Sequence, residues 1–363
     1  MNQIRILDIA GSPFEMGRAH GEAFRNSIVH FTEERVALSA DPKWSGQALG
    51  EAEVLALAEA CVSEHERYSP DLFEELLGLS EATGLSPAQL IVNGGFTDFI
   101  DAVYNAYQQP NPVPANAGAD NCTAFLVPDA LGENQQGFFG QTWDMHDTAT
   151  QHVIMLRGQP ADKPGFLAFT TVGCVGMLGM NTEGVAIGIN NLSATDGQVG
   201  VTWPFVIRKA LAQATAEAAL ECVTEAKLAG AHNFLILDKT GAGYNVEAMP
   251  SRSEVTALES DVIVHTNHCL VPETLSVERK REPDAQAHSE NRLRQGYKLL
   301  DKPSITETDL QALTRDPEYI CTVSSPPRHI ETCGAAIMRP ASGDFWAVWG
   351  LPSENQYEHF RVT

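Results

Sequence analysis

The chain has 363 residues, enough for one large domain or two ordinary ones, and 43% of them are hydrophobic, enough for a sizeable core. Acidic residues outnumber basic ones by 47 to 24, which gives a formal net charge of -23. Nucleic acids and anionic membrane surfaces both bind basic faces, so this charge excludes them as expected partners.

The cysteines and the N-terminus indicate a compartment. The seven cysteines form no C-x-x-C pair and are odd in number, which is not the pattern of a disulfide scaffold. The first residues lack a charged segment followed by an apolar run, and no stretch approaches the roughly 18 apolar residues of a membrane span. We therefore expect a cytoplasmic protein without a membrane segment.

The first third of the chain has a mainly helical pattern. Residues 4–10 predict a short strand, and Ser12-Pro13 is a typical helix start. Apolar residues then recur at helical spacing. The helices predicted in this way begin after Ser12-Pro13, span 47–68, begin again at Pro70, and run from Ser86-Pro87 to about Tyr107.

A Pro-rich segment at 110–120 predicts an exposed linker, and the pattern changes after it. Strands are predicted at 122–128, 137–143, 152–157, 166–172, 184–190, 233–238, 244–248, 261–265, 334–339 and 345–349. Helices are predicted at 203–215, 216–228, 285–299 and 305–315. Strands, a block of helices and strands again favour a layered α+β domain over a barrel.

Cys122 is the main candidate nucleophile, because it lies where the linker meets the first strand. A cysteine attacks as its thiolate and therefore needs a base. Cutting the bond between Asn121 and Cys122 would free the α-amine of Cys122, whose ordinary pKa is about 7.7–8.0. The thiol would then carry its own base, as in an N-terminal nucleophile. A Cys–His pair without cleavage is the alternative, with His146 or His268 as the base.

A set of motifs occurs along nearly the whole chain in a fixed order. They are GSPFEMGRAHG, YSPDLFEELLGLSEATGLS, NCTAF, FGQTWD, GMNTEGVAIGINNL, HNFLILDKTGAGYNVEA, HTNH, ICTV, ETCGAAIM and WAVWGLP. With these motifs the chain resembles the acyl-CoA:6-aminopenicillanic acid acyltransferase family of N-terminal nucleophile hydrolases. The resemblance implies a four-layer αββα sandwich. It also implies a zymogen that cleaves itself into a mainly helical α part, 1–121, and a β part, 122–363.

The resemblance also assigns roles to residues of this chain. Cys122 matches the nucleophile, and the bond between Asn121 and Cys122 matches the cleaved bond. Asp144 matches the acid that binds the nucleophile's amine, while Asn190 and Asn267 match the pair that holds the oxyanion. Supporting roles are expected for Thr123, Asn191 and Arg328. Which of Asn190 and Asn191 points inward stays open at this stage.

Two residues depart from the family pattern. Asn121 stands where the family often has glycine, and Ala124 stands where a hydroxyl residue is common. Both departures leave open an uncleaved chain that acts as a binding or scaffold protein. His265 and His268 lie three residues apart, but no third ligand is evident nearby, so no metal is expected.

The expected function is therefore an N-terminal cysteine amidohydrolase or acyltransferase. It would act on amide or thioester bonds of small N-acyl compounds through a thioacyl-enzyme. Candidate substrates are β-alanyl or acyl-amino-acid amides and β-lactams with their side chains. No cofactor is expected, although acyl-CoA could serve as a substrate. The expected partners are the small substrate and the α and β parts themselves, and a homo-oligomer remains open.

Overall fold

The computed structural model describes residues 3–46, 49–106 and 122–362. The part before the linker forms β1 (Arg5–Gly11), α1 (Pro13–Ala40), α2 (Pro42–Ser45), α3 (Glu51–Tyr68), α4 (Pro70–Thr83), α5 (Pro87–Gly94) and α6 (Phe96–Ala106). The predicted linker at 110–120 lies outside the described residues.

The part after the linker alternates strands with short groups of helices. Its first strands are β2 (Ala124–Val127), β3 (Phe138–His146), β4 (Val153–Pro160), β5 (Phe166–Thr171), β6 (Leu178–Asn181) and β7 (Val185–Asn191). There follow α7 (Trp203–Ala210), α8 (Ala216–Thr224), β8 (His232–Asp238), β9 (Gly243–Met249), β10 (Arg252–Ala257) and β11 (Ile263–His265). The last elements are α9 (Pro272–Leu275), α10 (Pro283–Leu300), α11 (Glu307–Thr314), β12 (Ile330–Arg339), β13 (Asp344–Trp349) and β14 (Glu358–Arg361).

Capping residues set the predicted helix starts. The Ser12 side chain accepts a hydrogen bond from the backbone of Glu15 while the Glu15 carboxylate reaches back to Ser12, and Ser86 forms the same reciprocal cap with Gln89. The run predicted from Pro87 to about Tyr107 is two helices, because α5 ends at Gly95 before α6 begins.

Two sheets form the centre of the molecule. One has eight strands in the order β1-β4-β5-β6-β7-β8-β9-β10, and the other has six in the order β11-β2-β3-β12-β13-β14. They face each other through β2 and β3 on one side and β7 and β8 on the other. Helices α1, α7 and α8 contact the first sheet, and α10 and α11 contact the second. The predicted four-layer αββα sandwich is confirmed.

Three short strands were missed by the sequence patterns, for a physical reason. β6 and β14 have only four residues each, and β10 shows no alternation between a buried and an exposed face. A strand that is so short or lacks alternation has no clear period-two signal, and only its neighbours in the sheet reveal it. Within the described ranges, no helix is both long enough and apolar enough to cross a bilayer.

The part before the linker is built into the part after it. β1 pairs with β4 in parallel over seven residue pairs and so completes the edge of the eight-stranded sheet. From α6, the buried carboxylate of Asp98 accepts from the backbone of Gly230, and that of Asp101 accepts from Ala194 and Ala231. Each bond satisfies a buried carboxyl oxygen, and its loss would leave a buried polar group unpaired.

The two sheets are joined by a hydrogen bond between β3 and β7 that depends on a glycine. Gln141 on β3 accepts a hydrogen bond from the backbone N–H of Ile189 on β7, at 2.8 Å. A Cβ at Gly188 would lie 2.1 Å from Oε1 of Gln141 and 2.5 Å from Cζ of Phe139. The absent side chain therefore lets β3 and β7 approach closely.

We predict that Gly188→Ala lowers the free energy of unfolding by about 1–3 kcal/mol, because overpacking forces the two sheets apart. The measurement is urea unfolding of the purified chain. Gly50→Ala is the control, since a Cβ there would meet its nearest atom at 3.6 Å, an ordinary contact. Equal stabilities for the two variants would contradict the role of Gly188.

Candidate active site

Cys122 lies immediately before β2, and its side chain is 3% exposed. It packs in the same apolar cluster as Ala124 and Leu126, whereas Phe125 and Val127 belong to the cluster on the other face of the sheet. The thiol therefore faces the space between the two sheets. Its Sγ lies 3.9 Å from the backbone carbonyl oxygen of Asp144. Asn121 and the predicted cleaved bond lie outside the described residues.

Asp144 lies inside β3 and is fully buried. Burial raises the pKa of its carboxyl to about 7, although the positive charge of Arg292 and the hydroxyls of Thr332, Thr322 and Thr142 lower it. These hydroxyls surround the carboxylate, but neither carboxylate oxygen has a hydrogen-bond partner of good geometry. Both oxygens of this buried carboxyl group can therefore still accept a hydrogen bond.

Asn190 is the member of the Asn190–Asn191 pair that points inward. Gly188 faces Gln141 and Phe139 across the sandwich, and side chains two residues apart on a strand share a face. The Asn190 side chain is completely buried, and neither its amide nitrogen nor its oxygen has a hydrogen-bond partner. Such a group is costly to bury unless something binds it, so it is a natural donor for a ligand.

Asn267 follows β11 by two residues and is completely buried. Its amide nitrogen donates to the carbonyl of Asn191 at 3.0 Å, and its amide oxygen accepts from the guanidinium of Arg292 at 2.9 Å. The second N–H of that amide is not used in these bonds. The side chains of Asn190 and Asn267 thus come from the end of β7 and from the loop after β11.

Arg292 is the residue of the site that the sequence patterns missed. It projects from α10, is fully buried, and donates to the carbonyl of Cys122, to the Thr123 hydroxyl at 3.2 Å and to Asn267. One guanidinium therefore joins the backbone of Cys122 to the side chain of Asn267. A signal was present: Arg292 lies on the buried stripe of α10, which is Ala285, Ser289, Arg292, Gly296 and Leu300.

Of the residues predicted to support the reaction, Thr123 contacts Arg292 directly, whereas Arg328 is related to it through His288. Thr123 is buried; its hydroxyl contacts Arg292 and its N–H donates to the Thr142 hydroxyl at 3.1 Å. Arg328 is half-buried and close enough to His288 to lower the pKa of that imidazole, together with burial and Arg292. Since Nδ1 of His288 accepts from Nε of Arg292, Arg328 belongs to the surroundings of Arg292.

The histidines that the alternative hypotheses name as a base or as metal ligands are weak bases or are hydrogen-bonded to neighbouring side chains. Burial lowers the pKa of His146 to about 3 and that of His268 to about 4, which makes both weak bases. His265 bonds Glu247 through Nε2, and His268 bonds Ser289 through Nδ1. Among the residues that the structure describes, no three His, Cys, Asp or Glu side chains are grouped to hold a metal ion.

Comparison with known proteins places the chain in a family. The sequence model of the acyl-coenzyme A:6-aminopenicillanic acid acyl-transferase family matches residues 130–354, more than half of the chain. The chain therefore belongs to this family, as its motifs predicted. The 40 kDa form of acyl-coenzyme A:6-aminopenicillanic-acid-acyltransferase from Emericella nidulans is 24% identical over 263 residues, which cover 72% of this chain and 68% of the relative.

Two solved structures are also similar. A mutant of conjugated bile acid hydrolase from Clostridium perfringens has a TM-score of 0.46 at 11% identity, covering 67% of this chain and 92% of its own. Penicillin V acylase from Agrobacterium tumefaciens has a TM-score of 0.46 at 12% identity, covering 66% of this chain and 86% of its own. At these scores the two structures carry no weight in the assignment, which rests on the family match.

The raised pKa of Asp144 makes a prediction about stability. With a pKa of about 7 in the fold against 3.8 ordinarily, Asp144 keeps a proton in the folded chain that the unfolded chain releases between these values. Its contribution to stability therefore falls as the pH rises from about 4 to about 7. We expect the free energy of unfolding of Asp144→Asn to fall less over this window than that of the wild type.

Urea unfolding at a series of pH values measures this difference. Asp162→Asn is the control, because Asp162 is exposed. If Asp144→Asn and Asp162→Asn follow the same pH dependence, the carboxyl of Asp144 does not hold a proton in the fold.

Proposed function

We propose that this protein is an autoprocessing N-terminal cysteine amidohydrolase or acyltransferase that uses Cys122 as its nucleophile. The observation that carries the proposal is the grouping of Cys122 and Asn267 around the buried guanidinium of Arg292, beside the unpartnered amide of Asn190. A thiol, two amide donors and a fixed cation are the groups that acyl transfer through a tetrahedral intermediate needs.

Processing begins with the Cys122 thiol as the attacking group. Its sulfur attacks the carbonyl carbon of Asn121, the C–N bond breaks, and the acyl group moves to sulfur while the nitrogen of Cys122 becomes a free amine. Water then hydrolyses the thioester, which leaves a carboxylate on Asn121 and restores the thiol. The chain is thereby divided into an α part, 1–121, and a β part, 122–363.

In the processed enzyme, the α-amine of Cys122 accepts the thiol proton. The thiolate adds to the carbonyl of a substrate amide or thioester, and the amide groups of Asn190 and Asn267 donate to the oxyanion. As the intermediate collapses, the departing amine takes the proton back from the α-ammonium. Water or an acceptor amine then attacks the thioacyl-enzyme and releases the product. Hydrolysis is the simpler outcome, since transfer requires that water be excluded.

Two charged groups orient these steps. The Asp144 carboxyl lies one strand from Cys122 and is the acid that would bind the new α-amine. Arg292 fixes the Asn267 amide, because a guanidinium can bond only its oxygen and so leaves its nitrogen facing away. Asn121 and Ala124 depart from the family pattern next to the cleaved bond, and we expect them to slow the cleavage. The hydroxyl of Thr123, adjacent to Cys122, is available to assist that step.

The α part stays attached after cleavage in this proposal. Its strand β1 and the buried carboxyl groups of Asp98 and Asp101 are bound by the β part, so separating the two would leave an open sheet edge and polar groups without partners. All seven cysteines are unpaired, which supports a reducing compartment such as the cytoplasm. The substrate is a small N-acyl compound, with acyl-CoA as an acyl donor if transfer occurs.

The first prediction of this proposal concerns cleavage. Denaturing mass spectrometry of the wild type should show two chains that meet between Asn121 and Cys122, and Cys122→Ala should show only the intact chain, because no sulfur is present to accept the acyl group. Cys174→Ala, at another buried cysteine, should be processed normally. An active wild-type preparation consisting of the intact chain alone would rule out the cleavage step.

The second prediction concerns Arg292. Arg292→Lys keeps the charge but loses the fork that reaches Cys122, Thr123 and Asn267 together, so kcat/KM for amide hydrolysis should fall by about 10²-fold or more. Arg294→Lys, two residues further along the same helix and exposed, is the matched control and should retain full activity. Equal activity of the two variants would remove Arg292 from the site.

A further inference from the structure

A cavity of about 30 Å³ lies between the part before the linker and the part after it. Phe31, Arg35 and Phe96 line it from one part, and Trp143, Met145 and Trp203 line it from the other. At roughly 10–15 Å³ for each water, it holds about two waters or a group of similar size.

The cavity lies on the side of β3 that the nucleophile faces. Trp143 and Met145 precede and follow Asp144, whose carbonyl oxygen is 3.9 Å from the Cys122 sulfur. Trp143 and Met145 also belong to the same apolar cluster as Cys122. In the register of β2 and β3, which pairs Ala124 with Gln141, Cys122 stands opposite Trp143, so one wall of the cavity is the cross-strand neighbour of this thiol.

Two buried polar atoms of the cavity walls have no hydrogen-bond partner. They are the indole N–H of Trp203, a donor, and the amide oxygen of Asn93, an acceptor. Both residues are at least nine-tenths buried. The orientation of the Asn93 amide is fixed, because its nitrogen donates to the Thr32 hydroxyl at 2.7 Å. A single hydroxyl group can satisfy both atoms, because it donates one hydrogen bond and accepts others.

The charged side chain in the cavity wall is Arg35, and the Glu34 carboxylate, which is not part of the wall, lies 3.8 Å from its guanidinium. The guanidinium of Arg35 stacks on Phe31 at 4.3 Å and on Phe96 at 5.1 Å, and it bonds Nδ1 of His146 at 3.3 Å. Burial and the Arg35 charge lower the pKa of His146 to about 3, so this imidazole adds no negative charge and no second cation at neutral pH. A cationic group in the cavity would be repelled by Arg35 at low dielectric.

We propose that this cavity is the acyl subsite and that it selects a short, uncharged acyl chain ending in a hydroxyl. Asn93 accepts the hydroxyl's hydrogen, and the Trp203 indole donates to its oxygen. This inference rests on the proposed function, since it names the acyl group that Cys122 receives. It also gives the part before the linker a role in specificity, and it disfavours the β-alanyl substrates that the sequence alone allowed.

The test compares three p-nitroanilides of nearly equal size, whose acyl groups are 3-hydroxypropanoyl, butanoyl and β-alanyl. We expect kcat/KM to be at least about tenfold higher for 3-hydroxypropanoyl than for butanoyl. The butanoyl chain leaves the Asn93 oxygen and the Trp203 N–H buried without hydrogen bonds, which costs binding free energy. β-Alanyl should be the poorest of the three. Equal rates, or a preference for butanoyl, would overturn the proposal.

Trp203→Phe removes the N–H and keeps an aromatic ring in the wall. It should bring the 3-hydroxypropanoyl to butanoyl ratio close to one, because the hydroxyl oxygen loses its donor. Trp349→Phe, on β13, is the matched control and should keep the wild-type ratio. An unchanged ratio in Trp203→Phe would overturn the role of the indole.

A binding measurement separates failure of the subsite from failure of the proposed reaction. Calorimetry with the wild-type preparation used for the anilides should show 4-hydroxy-2-butanone, which carries the 3-hydroxypropanoyl group without a leaving group, binding at least about tenfold more tightly than 2-pentanone. Trp203→Phe should remove the difference. If this holds while no anilide is hydrolysed, the proposed function fails and the subsite stands. If both ketones bind equally, buried waters satisfy Asn93 and Trp203, and the subsite fails.

Discussion

The buried guanidinium of Arg292 is the interaction on which the site depends. It lies under the second sheet, and its donors reach the carbonyl of Cys122 and the amide of Asn267, which the chain separates by 145 positions. A buried cation without acceptors would cost several kcal/mol, so these acceptors cannot move away independently. The backbone of Cys122 and the direction of the Asn267 amide are thereby fixed by the same group.

The sandwich supplies the second constraint. Gly188 allows Gln141 to bridge β3 and β7, and this bridge sets the distance between the sheet that carries Cys122 and the strand that carries Asn190. The cavity beside Trp143, where helices of the part before the linker meet β3, is also small, at about 30 Å³. As the proposed acyl subsite, it would admit only a short acyl group next to the sulfur.

Several buried polar groups of the candidate site and of the neighbouring cavity have no hydrogen-bond partner. They are the amide of Asn190, the carboxyl of Asp144, the indole of Trp203 and the amide oxygen of Asn93. Each such group lowers the stability of the fold unless a ligand or a water binds it. Under the proposed function, binding of substrate and formation of the α-amine would recover part of that free energy.

The sequence by itself determined the family, the layered α+β architecture and most elements, because caps such as Ser12 and Ser86 and the periodic apolar positions act locally. It also singled out Cys122 by its place between the linker and a strand, and the family resemblance added Asp144, Asn190 and Asn267 as candidates. Only the tertiary structure decided that Asn190 rather than Asn191 faces inward, and that Arg292 contacts both Cys122 and Asn267. Both depend on contacts between segments far apart in the chain, to which no local pattern is sensitive.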